Sequence, residues 1–195
     1  MARTRSNRRL DRPREQVLAT TLEMIAEQGL GKVTIASLAA RLETSGGHLL
    51  YYFGTRNGLL LETLRWSESQ YAEQRAPLVE RAAAGTGDLA TVLEFAGVFL
   101  PVDERDPRWM LWLELWARAP YDAELAAAQR ELDDHWHHDL VAVLRACLPG
   151  VADAEGLSAR LRAMWDGFAI AIVNGGGTAQ REVAIGHTRA SLVPA

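Results

Sequence analysis

Apolar residues recur at spacings of three, four and seven along most of this 195-residue chain. This spacing places them on one face of successive helices. Beyond residue 85, no stretch alternates apolar and polar residues in the way that a half-buried strand does. The sequence therefore predicts an all-α protein.

Three short helices and one long helix are predicted in the N-terminal part. The first helix ends at Gly29, Thr34 caps a second helix, and Ser45 caps a third. The glycine-containing stretch "GTRNG" breaks the third helix. A long fourth helix is then expected from Leu59, with Pro77 ending or bending it.

The C-terminal part contains further helix signals. Asp88 caps one helix, and Asp106 followed by Pro107 begins another. Two long segments, around 121–148 and 154–174, then carry wide apolar stripes and form an antiparallel hairpin. A chain that exposed such stripes would aggregate, so the sequence predicts that this hairpin forms a homodimer interface. The alternative is that the hairpin packs on its own domain.

Charge is distributed unevenly along the chain. The first 60 residues hold nine Lys and Arg against five Asp and Glu, a balance of +4, whereas the whole chain carries −4. The remainder therefore carries −8. This distribution favours contact between the front of the molecule and a polyanion.

The stretch "TSGGHLLYYF" begins a predicted helix with two glycines and follows them with aromatic residues. A helix, a tight turn and a short second helix place a recognition helix in the DNA major groove. The glycines allow the helix N-terminus to approach a phosphate closely. A small helical bundle with a loose glycine corner is the alternative. The predicted DNA-binding residues are Thr34, Ser45, Gly46, Gly47, His48, Tyr51, Tyr52 and Arg56.

Roles within this set follow from position. His48 and Tyr51 lie on the face opposite Leu49, so both are expected to reach bases or backbone. Tyr52 and Arg56 are expected to add phosphate contacts.

The segment "TIASLAARLETSGGHLLYYFGTRNGLL" resembles the DNA-binding segment of the TetR family of bacterial transcription regulators. The resemblance covers about residues 14–64. The matching positions are Thr34, Ala39, Ser45, Gly47, Leu49, Tyr52, Phe53 and Leu59, with conservative matches at Leu38 and Arg56.

Three positions depart from the family pattern. Glu43 stands where the family usually has a turn glycine, which suggests a strained or differently shaped corner. Leu50 replaces a tyrosine that commonly contacts phosphate, and Gly46 replaces a side chain that often contacts DNA. We therefore expect the basic arm from Arg3 to Arg14 to contribute more to DNA affinity.

The resemblance implies a repressor that a small-molecule effector releases from a palindromic operator in double-stranded DNA. The expected organisation is a flexible basic arm (1–13), a three-helix DNA-binding domain with a helix-turn-helix (14–58), and a larger helical ligand-binding and dimerisation domain (59–195). A helical-bundle enzyme, or a protein-interaction module without specific DNA binding, is the alternative.

Tryptophans indicate where an effector would bind. Most of them are concentrated in the C-terminal half, which is similar to the family branch that includes a choline-responsive betaine repressor. Indoles that converge near Glu114 or Asp166 would suit a flat or cationic ligand, although core packing also explains them. The candidate ligand-binding residues are Trp109, Trp112, Trp116, Trp136 and Trp165.

Other functions have weaker support. His135 with His138 or Asp139 has helical spacing for a metal, but no further ligands are obvious, so no metal or cofactor is predicted. The stretch "NGGGT" follows a helix, which indicates a C-cap and loop, and no nucleophile motif is present, so we predict that the protein is not an enzyme. No apolar run is long enough to span a bilayer and no signal peptide is evident, which predicts a cytoplasmic location.

Overall fold

The computed structural model describes residues 13–192, and this part of the chain contains helices and turns but no strand. The all-α prediction is confirmed. The helices are α1 (Arg14–Gln28), α2 (Ile35–Arg41), α3 (Gly46–Phe53), α4 (Arg56–Ala83), α5 (Leu89–Phe99), α6 (Pro107–Arg118), α7 (Ala123–Cys147), α8 (Ala154–Ala171) and α9 (Gly177–Leu192). Residues 1–12, which hold most of the predicted basic arm, lie outside the described residues.

Helices α1, α2 and α3 pack with the start of α4 and contribute to the apolar core that continues into the rest of the protein. Val17 and Ile25 of α1, Leu38 of α2 and Leu49 of α3 are all buried in it. Each short helix begins at a side-chain cap, because a helix of seven or eight residues depends on capping and packing for its stability. The three-helix arrangement predicted from the sequence is confirmed.

Helix α4 connects this N-terminal unit to the rest of the protein. It begins at Arg56 with Thr55 as its cap, three residues before the predicted start at Leu59. It then continues past Pro77 to Ala83, so of the two predicted effects of the proline, an end or a bend of the helix, the first is wrong. Its 28 residues give a length of about 42 Å.

Helix α7 lies at the centre of the C-terminal part and packs against α4, α5 and α8. Its apolar stripe is buried within the same chain, and it consists of Leu125, Ala128, Leu132, Trp136, Leu140, Val141, Val143, Leu144 and Cys147. The expectation that α7 offers this stripe to a second protomer is therefore wrong. On the outer layer, exposed apolar side chains do occur at Ile170 of α8 and Val183 of α9.

A tight turn joins α8 to α9. Residues Ile172–Gly176 form a π-helical turn in which Gly175 has φ 103°, and Gly177 has φ 52°. Glycine adopts such positive φ values at low cost, so this sequence suits an abrupt change of helix direction. The stretch predicted as a C-cap and loop therefore leads into a ninth helix.

Across residues 13–192, no helix combines the length and the hydropathy that a membrane crossing requires.

Candidate DNA-binding and effector sites

Helix α3 is held by its cap and by two buried side chains. The Ser45 hydroxyl accepts a hydrogen bond from the backbone N–H of His48 at 3.1 Å. Leu49 and Phe53 point into the core of the N-terminal unit. The opposite face of α3 is therefore turned away from the protein.

Aromatic side chains dominate this outer face. Tyr51 is 76% exposed. His48 is half-buried, and its ring stacks on Tyr52 with 5.2 Å between ring centroids. The Tyr51 and Tyr52 rings meet edge to face, with 5.1 Å between their centroids. Tyr51 is thus the most accessible ring of the three, and Tyr52 is packed between its two neighbours.

The two glycines at the start of α3, Gly46 and Gly47, differ in the space around them. A Cβ at Gly46 would approach Ile35 Cγ2 to 3.3 Å, whereas a Cβ at Gly47 would meet nothing within 4 Å. The protein therefore has room for a side chain at Gly47.

Glu43 has φ 52°, the left-handed conformation that costs a non-glycine residue roughly 1 kcal/mol or more. The strain expected where the family has glycine is present.

Thr34 and Arg56 both have structural partners. The Thr34 hydroxyl accepts from the Ser37 backbone N–H at 3.0 Å in a capping box that begins α2. Arg56 donates from Nε to the Val33 carbonyl at 2.9 Å and from Nη2 to the Leu30 carbonyl at 3.1 Å. Arg56 therefore connects the start of α4 to the loop that precedes α2.

The C-terminal part contains a cluster of indoles around Phe99. The Phe99 ring lies 5.7 Å from Trp109, 5.0 Å from Trp136 and 5.2 Å from Trp165. Trp116 extends the cluster, since its ring lies 5.9 Å from those of both Trp109 and Trp112. The structure thus brings together the five tryptophans chosen from the sequence.

A buried carboxylate fixes two of these indoles. Glu68 of α4 is 5% exposed. It accepts hydrogen bonds from Trp112 Nε1 and Trp136 Nε1, both at 2.7 Å. Because the two indoles lie on α6 and α7, one glutamate connects three helices.

Arg108 supplies the positive charge beside Glu68. Its side chain is 2% exposed, and Nη1 lies 3.7 Å from Glu68 Oε1. Its guanidinium sits 3.8 Å from the centroid of the Tyr71 ring and donates to the Phe99 carbonyl. The chain's own cation therefore occupies part of the aromatic cluster, an arrangement that cation–π attraction favours.

A narrow cavity remains beside these residues. Its volume is about 10 Å³, and its lining includes Trp109, Trp112, Trp116, Asp133 and Asp166. This is room for about one water molecule. A larger groove of about 510 Å³ lies next to it, and Trp116 and Asp166 line both spaces. These two side chains thus contact both spaces.

The two aspartates of the cavity have unusual proton affinities. Burial raises the pKa of Asp166 to about 7, an effect that the nearby Arg162 opposes and Asp133 reinforces. Burial also raises the pKa of Asp133, although Arg162 donates to its carboxylate at 2.8 Å. A cation placed between these carboxylates would favour their ionised forms.

Trp165 and the pair His135 and His138 are not part of this cavity. Trp165 does not line the cavity, and its Nε1 donates to Thr188 Oγ1 at 2.8 Å. Within residues 13–192, His135 and His138 do not join a group of three or more metal-ligating side chains.

Sequence reasoning missed the charged residues of the cluster. Glu68, Arg108 and Asp133 occur in helices with many other charged residues, and none has a distinctive sequence motif. Only the packing of α4, α6, α7 and α8 brings them together. The one local feature at Arg108 is that it follows Pro107 in the first turn of a helix, and this feature does not indicate a buried charge.

Comparison with known proteins gives two family matches. The model described as the tetR family of bacterial regulatory proteins matches residues 17–63. The model for the C-terminal part of BetI-type transcriptional repressors matches residues 88–193.

Relatives with known names agree with these matches. The HTH-type transcriptional regulator BetI of Burkholderia ambifaria is 31% identical over 157 residues, which cover 78% of this chain and 79% of that protein. BetI of Stenotrophomonas maltophilia is 29% identical over 160 residues, with 78% and 79% covered.

Solved structures show the same fold. A transcriptional regulator from Saccharomonospora viridis in complex with choline has a TM-score of 0.74 at 24% identity, with 92% of each chain covered. A regulator from Rhodococcus sp. Rha1 has a TM-score of 0.78 at 24% identity, with 94% of this chain and 100% of that chain covered. The chain belongs to the TetR family of bacterial regulatory proteins, has a BetI-type C-terminal domain, and is a DNA-binding regulator of transcription.

Proposed function

We propose that this protein is a cytoplasmic repressor that binds a palindromic operator as a homodimer and leaves it when a small organic cation binds among the indoles. The observation that carries the proposal is the narrow aromatic cavity with Asp133 and Asp166 in its wall, which also contains Arg108. Aromatic faces and carboxylates together are the groups that bind an alkylated ammonium ion.

On the DNA side, we assign base contacts to Tyr51 and His48 and backbone contacts to the N-terminus of α3. The exposure of Tyr51 and the open space at Gly47 support this assignment. Tyr52 supports His48 through the ring stack, and we assign it a phosphate contact. Arg56 acts mainly by holding the corner in shape, because two of its nitrogens donate to backbone carbonyls.

We place the homodimer interface on α8 and α9. Both helices pack on one side of the molecule, with α5 and α7 behind them. Ile170 and Val183 are exposed there, and the rings of Phe168 and His187 stack at 5.4 Å between the two helices. Exposed apolar side chains on a rigid helix pair are typical of a self-complementary interface.

Helix α6 is the proposed connection between the two sites. It carries Trp109, Trp112 and Trp116 along the cavity, and Arg118 near its end donates to Asn57 Oδ1 at 2.8 Å. Asn57 lies in the first turn of α4, next to the recognition helix. Because the cavity holds only about one water, a larger ligand must move α6 or its neighbours apart, which would disturb this contact.

DNA binding is tested by fluorescence anisotropy on DNA from directly upstream of the coding region, against unrelated DNA at near-physiological salt. We expect preferential, saturable binding to the upstream DNA or to a site selected from random DNA. Tyr51→Ala should change which sequence is preferred, whereas Arg56→Ala should weaken binding to all sequences. Equal binding to every DNA sequence would refute the proposal.

Choline is the probe for the effector site, with tryptophan fluorescence as the binding readout. We expect choline to bind and to lower operator affinity, and we expect Asp133→Asn or Trp116→Ala to weaken its binding. The matched control is Asp134→Asn, since Asp134 is the exposed neighbour on the same helix. If Asp133→Asn and Asp134→Asn have equal effects, the cavity is not the ammonium site.

A further inference from the structure

The open groove beside the aromatic cavity is large enough to hold a small molecule. Its volume is about 510 Å³, and ligand sites in proteins commonly occupy roughly 300–1,000 Å³. Four elements contribute to its wall: Trp116 comes from α6, Pro120 from the turn after α6, Ala126 and Arg130 from α7, and Asp166 from α8. A ligand whose head lies at the aromatic cavity therefore has room for a tail in this groove.

Two opposite charges without partners line this groove. Asp166 is half-buried, and within residues 13–192 its carboxylate makes no hydrogen bond or ion pair, although both of its oxygens remain accessible to solvent. Arg130 is exposed, and it also has no acidic partner in the described part of the chain. Both groups are therefore available to an occupant of the groove.

The neighbouring polar side chains bind to each other and not to these two charges. Arg162 lies close enough to Asp166 to oppose the rise of its pKa, but it donates its hydrogen bond to Asp133 at 2.8 Å. Gln129, which precedes Arg130 and also lines the groove, hydrogen-bonds to Asp133 as well. A ligand that carries both a positive and a negative charge would therefore meet Asp166 and Arg130 without breaking an ion pair of the protein.

We propose that the effector is a zwitterion, an alkylated ammonium ion with a carboxylate on a short chain, whose ammonium lies at Trp116 and Asp166 and whose carboxylate binds Arg130. The assignment rests on the proposed function, because the ammonium end uses the same two side chains. An indole face and a carboxylate attract the cation, and a guanidinium forms charge-assisted hydrogen bonds to a carboxylate. Pro120 and Ala126 give the groove an apolar surface for the methylene chain.

The experiment compares γ-butyrobetaine with its methyl ester by isothermal titration calorimetry on the full-length protein, at a pH above the Asp166 pKa of about 7. The ester keeps the trimethylammonium group and the chain but removes the negative charge. Because Arg130 is exposed, we expect γ-butyrobetaine to bind up to about fivefold more tightly than the ester. This preference should shrink at about 1 M salt, which screens exposed charges. Equal affinities at low salt, or tighter binding of the ester, would overturn the inference.

Variants of Arg130 locate the carboxylate end. Arg130→Met should remove the preference for γ-butyrobetaine over the ester, and Arg130→Glu should reverse it, because a negative side chain repels the carboxylate. Both changes are at an exposed position, and circular dichroism checks that the variants fold. The matched control is Arg160→Met, since Arg160 is an exposed arginine of α8 that does not line the groove. A preference that survives in Arg130→Met and Arg130→Glu as it does in Arg160→Met would refute the site.

Choline separates this inference from the proposed function. It has an ammonium group but no carboxylate, so Arg130→Met should leave its affinity unchanged, whereas Trp116→Ala should weaken both choline and γ-butyrobetaine. If choline binds and γ-butyrobetaine gains nothing over its ester, the zwitterion assignment fails and the ammonium site stands. If neither choline nor γ-butyrobetaine binds, the ammonium site itself is wrong. γ-Butyrobetaine should also lower operator affinity in the anisotropy assay, and binding without that effect would contradict its class as the effector.

Discussion

Replacing Glu68 by glutamine should destabilise the protein strongly while hardly changing its shape. The glutamate carboxylate accepts from two indole N–H groups at 2.7 Å, but an amide offers a single oxygen. One indole N–H then loses its acceptor, which costs about 1–3 kcal/mol. Arg108, which is 2% exposed, also loses its counter-charge, and breaking a buried pair costs about 3–5 kcal/mol. Because Arg108 keeps the Phe99 carbonyl, we expect the lower end of the summed cost, about 4 kcal/mol.

Urea denaturation, followed by circular dichroism at one fixed protein concentration, measures this loss. The control is Glu131→Gln, which removes a carboxylate from an exposed pair with Arg65 and should change stability by less than about 1 kcal/mol. The double variant Glu68→Met with Arg108→Met should be less destabilised than Glu68→Met alone, since both members of the buried pair are then removed. If Glu68→Gln is as stable as Glu131→Gln, the carboxylate does not hold the indoles as described.

Four further outcomes follow from the structure. Arg56→Ala should lower the unfolding free energy by about 1–3 kcal/mol, measured in urea, because the Val33 and Leu30 carbonyls lose their donor; unchanged stability would argue against the structural role. Glu43→Gly should raise thermal stability by up to about 1 kcal/mol by relieving a positive φ, and Glu43→Ala, which keeps that strain, should not. The pKa of Asp166 is raised from 3.8 to about 7 by folding. Between about pH 4 and pH 7, Asp166 is therefore protonated in the folded state and ionised in the unfolded state. The free energy of unfolding should therefore fall as pH rises from about 4 to about 7. Denaturation curves of Asp166→Asn should show a smaller fall. Choline affinity should increase as pH rises through 7, because Asp166 then becomes ionised. Ile170→Asp and Val183→Asp should produce monomers in light scattering, whereas Val102→Asp, at an exposed apolar position in the loop before α6, should remain dimeric; dimers in all three would move the interface elsewhere.

Local signals determined what the sequence could predict. Asp88 and Asp106 cap helices as expected, because capping depends on residues within one turn. The start of α3 at Ser45 was predictable for the same reason. The five tryptophans chosen from the sequence do form one cluster, in which Trp109, Trp136 and Trp165 contact Phe99 and Trp116 contacts Trp109 and Trp112.

Contacts between distant segments were not predictable. The predicted phosphate contact of Arg56 stays a prediction, but its hydrogen bonds to carbonyls 23 and 26 residues earlier in the chain could not be foreseen. The stripe of α7 looked like an interface because periodicity shows which residues share a face and not which neighbour covers that face. Pro77 looked like a helix end, yet the packing of α4 against α5 and α7 outweighs the local cost of proline.

Because α4 is continuous, a tilt at one end of it would move residues at the other end. Glu68 and Arg56 are separated by 12 residues of continuous helix, or about 18 Å. A tilt of about 10° about the Glu68 end would displace Arg56 by roughly 3 Å over that distance. Two symmetric copies would then change the spacing of their recognition helices by up to about 6 Å, against a DNA repeat of about 34 Å. Under the proposed mechanism, α4 would act as a lever arm, so that a rearrangement the size of one side chain in the core would shift the recognition helices out of register with the DNA.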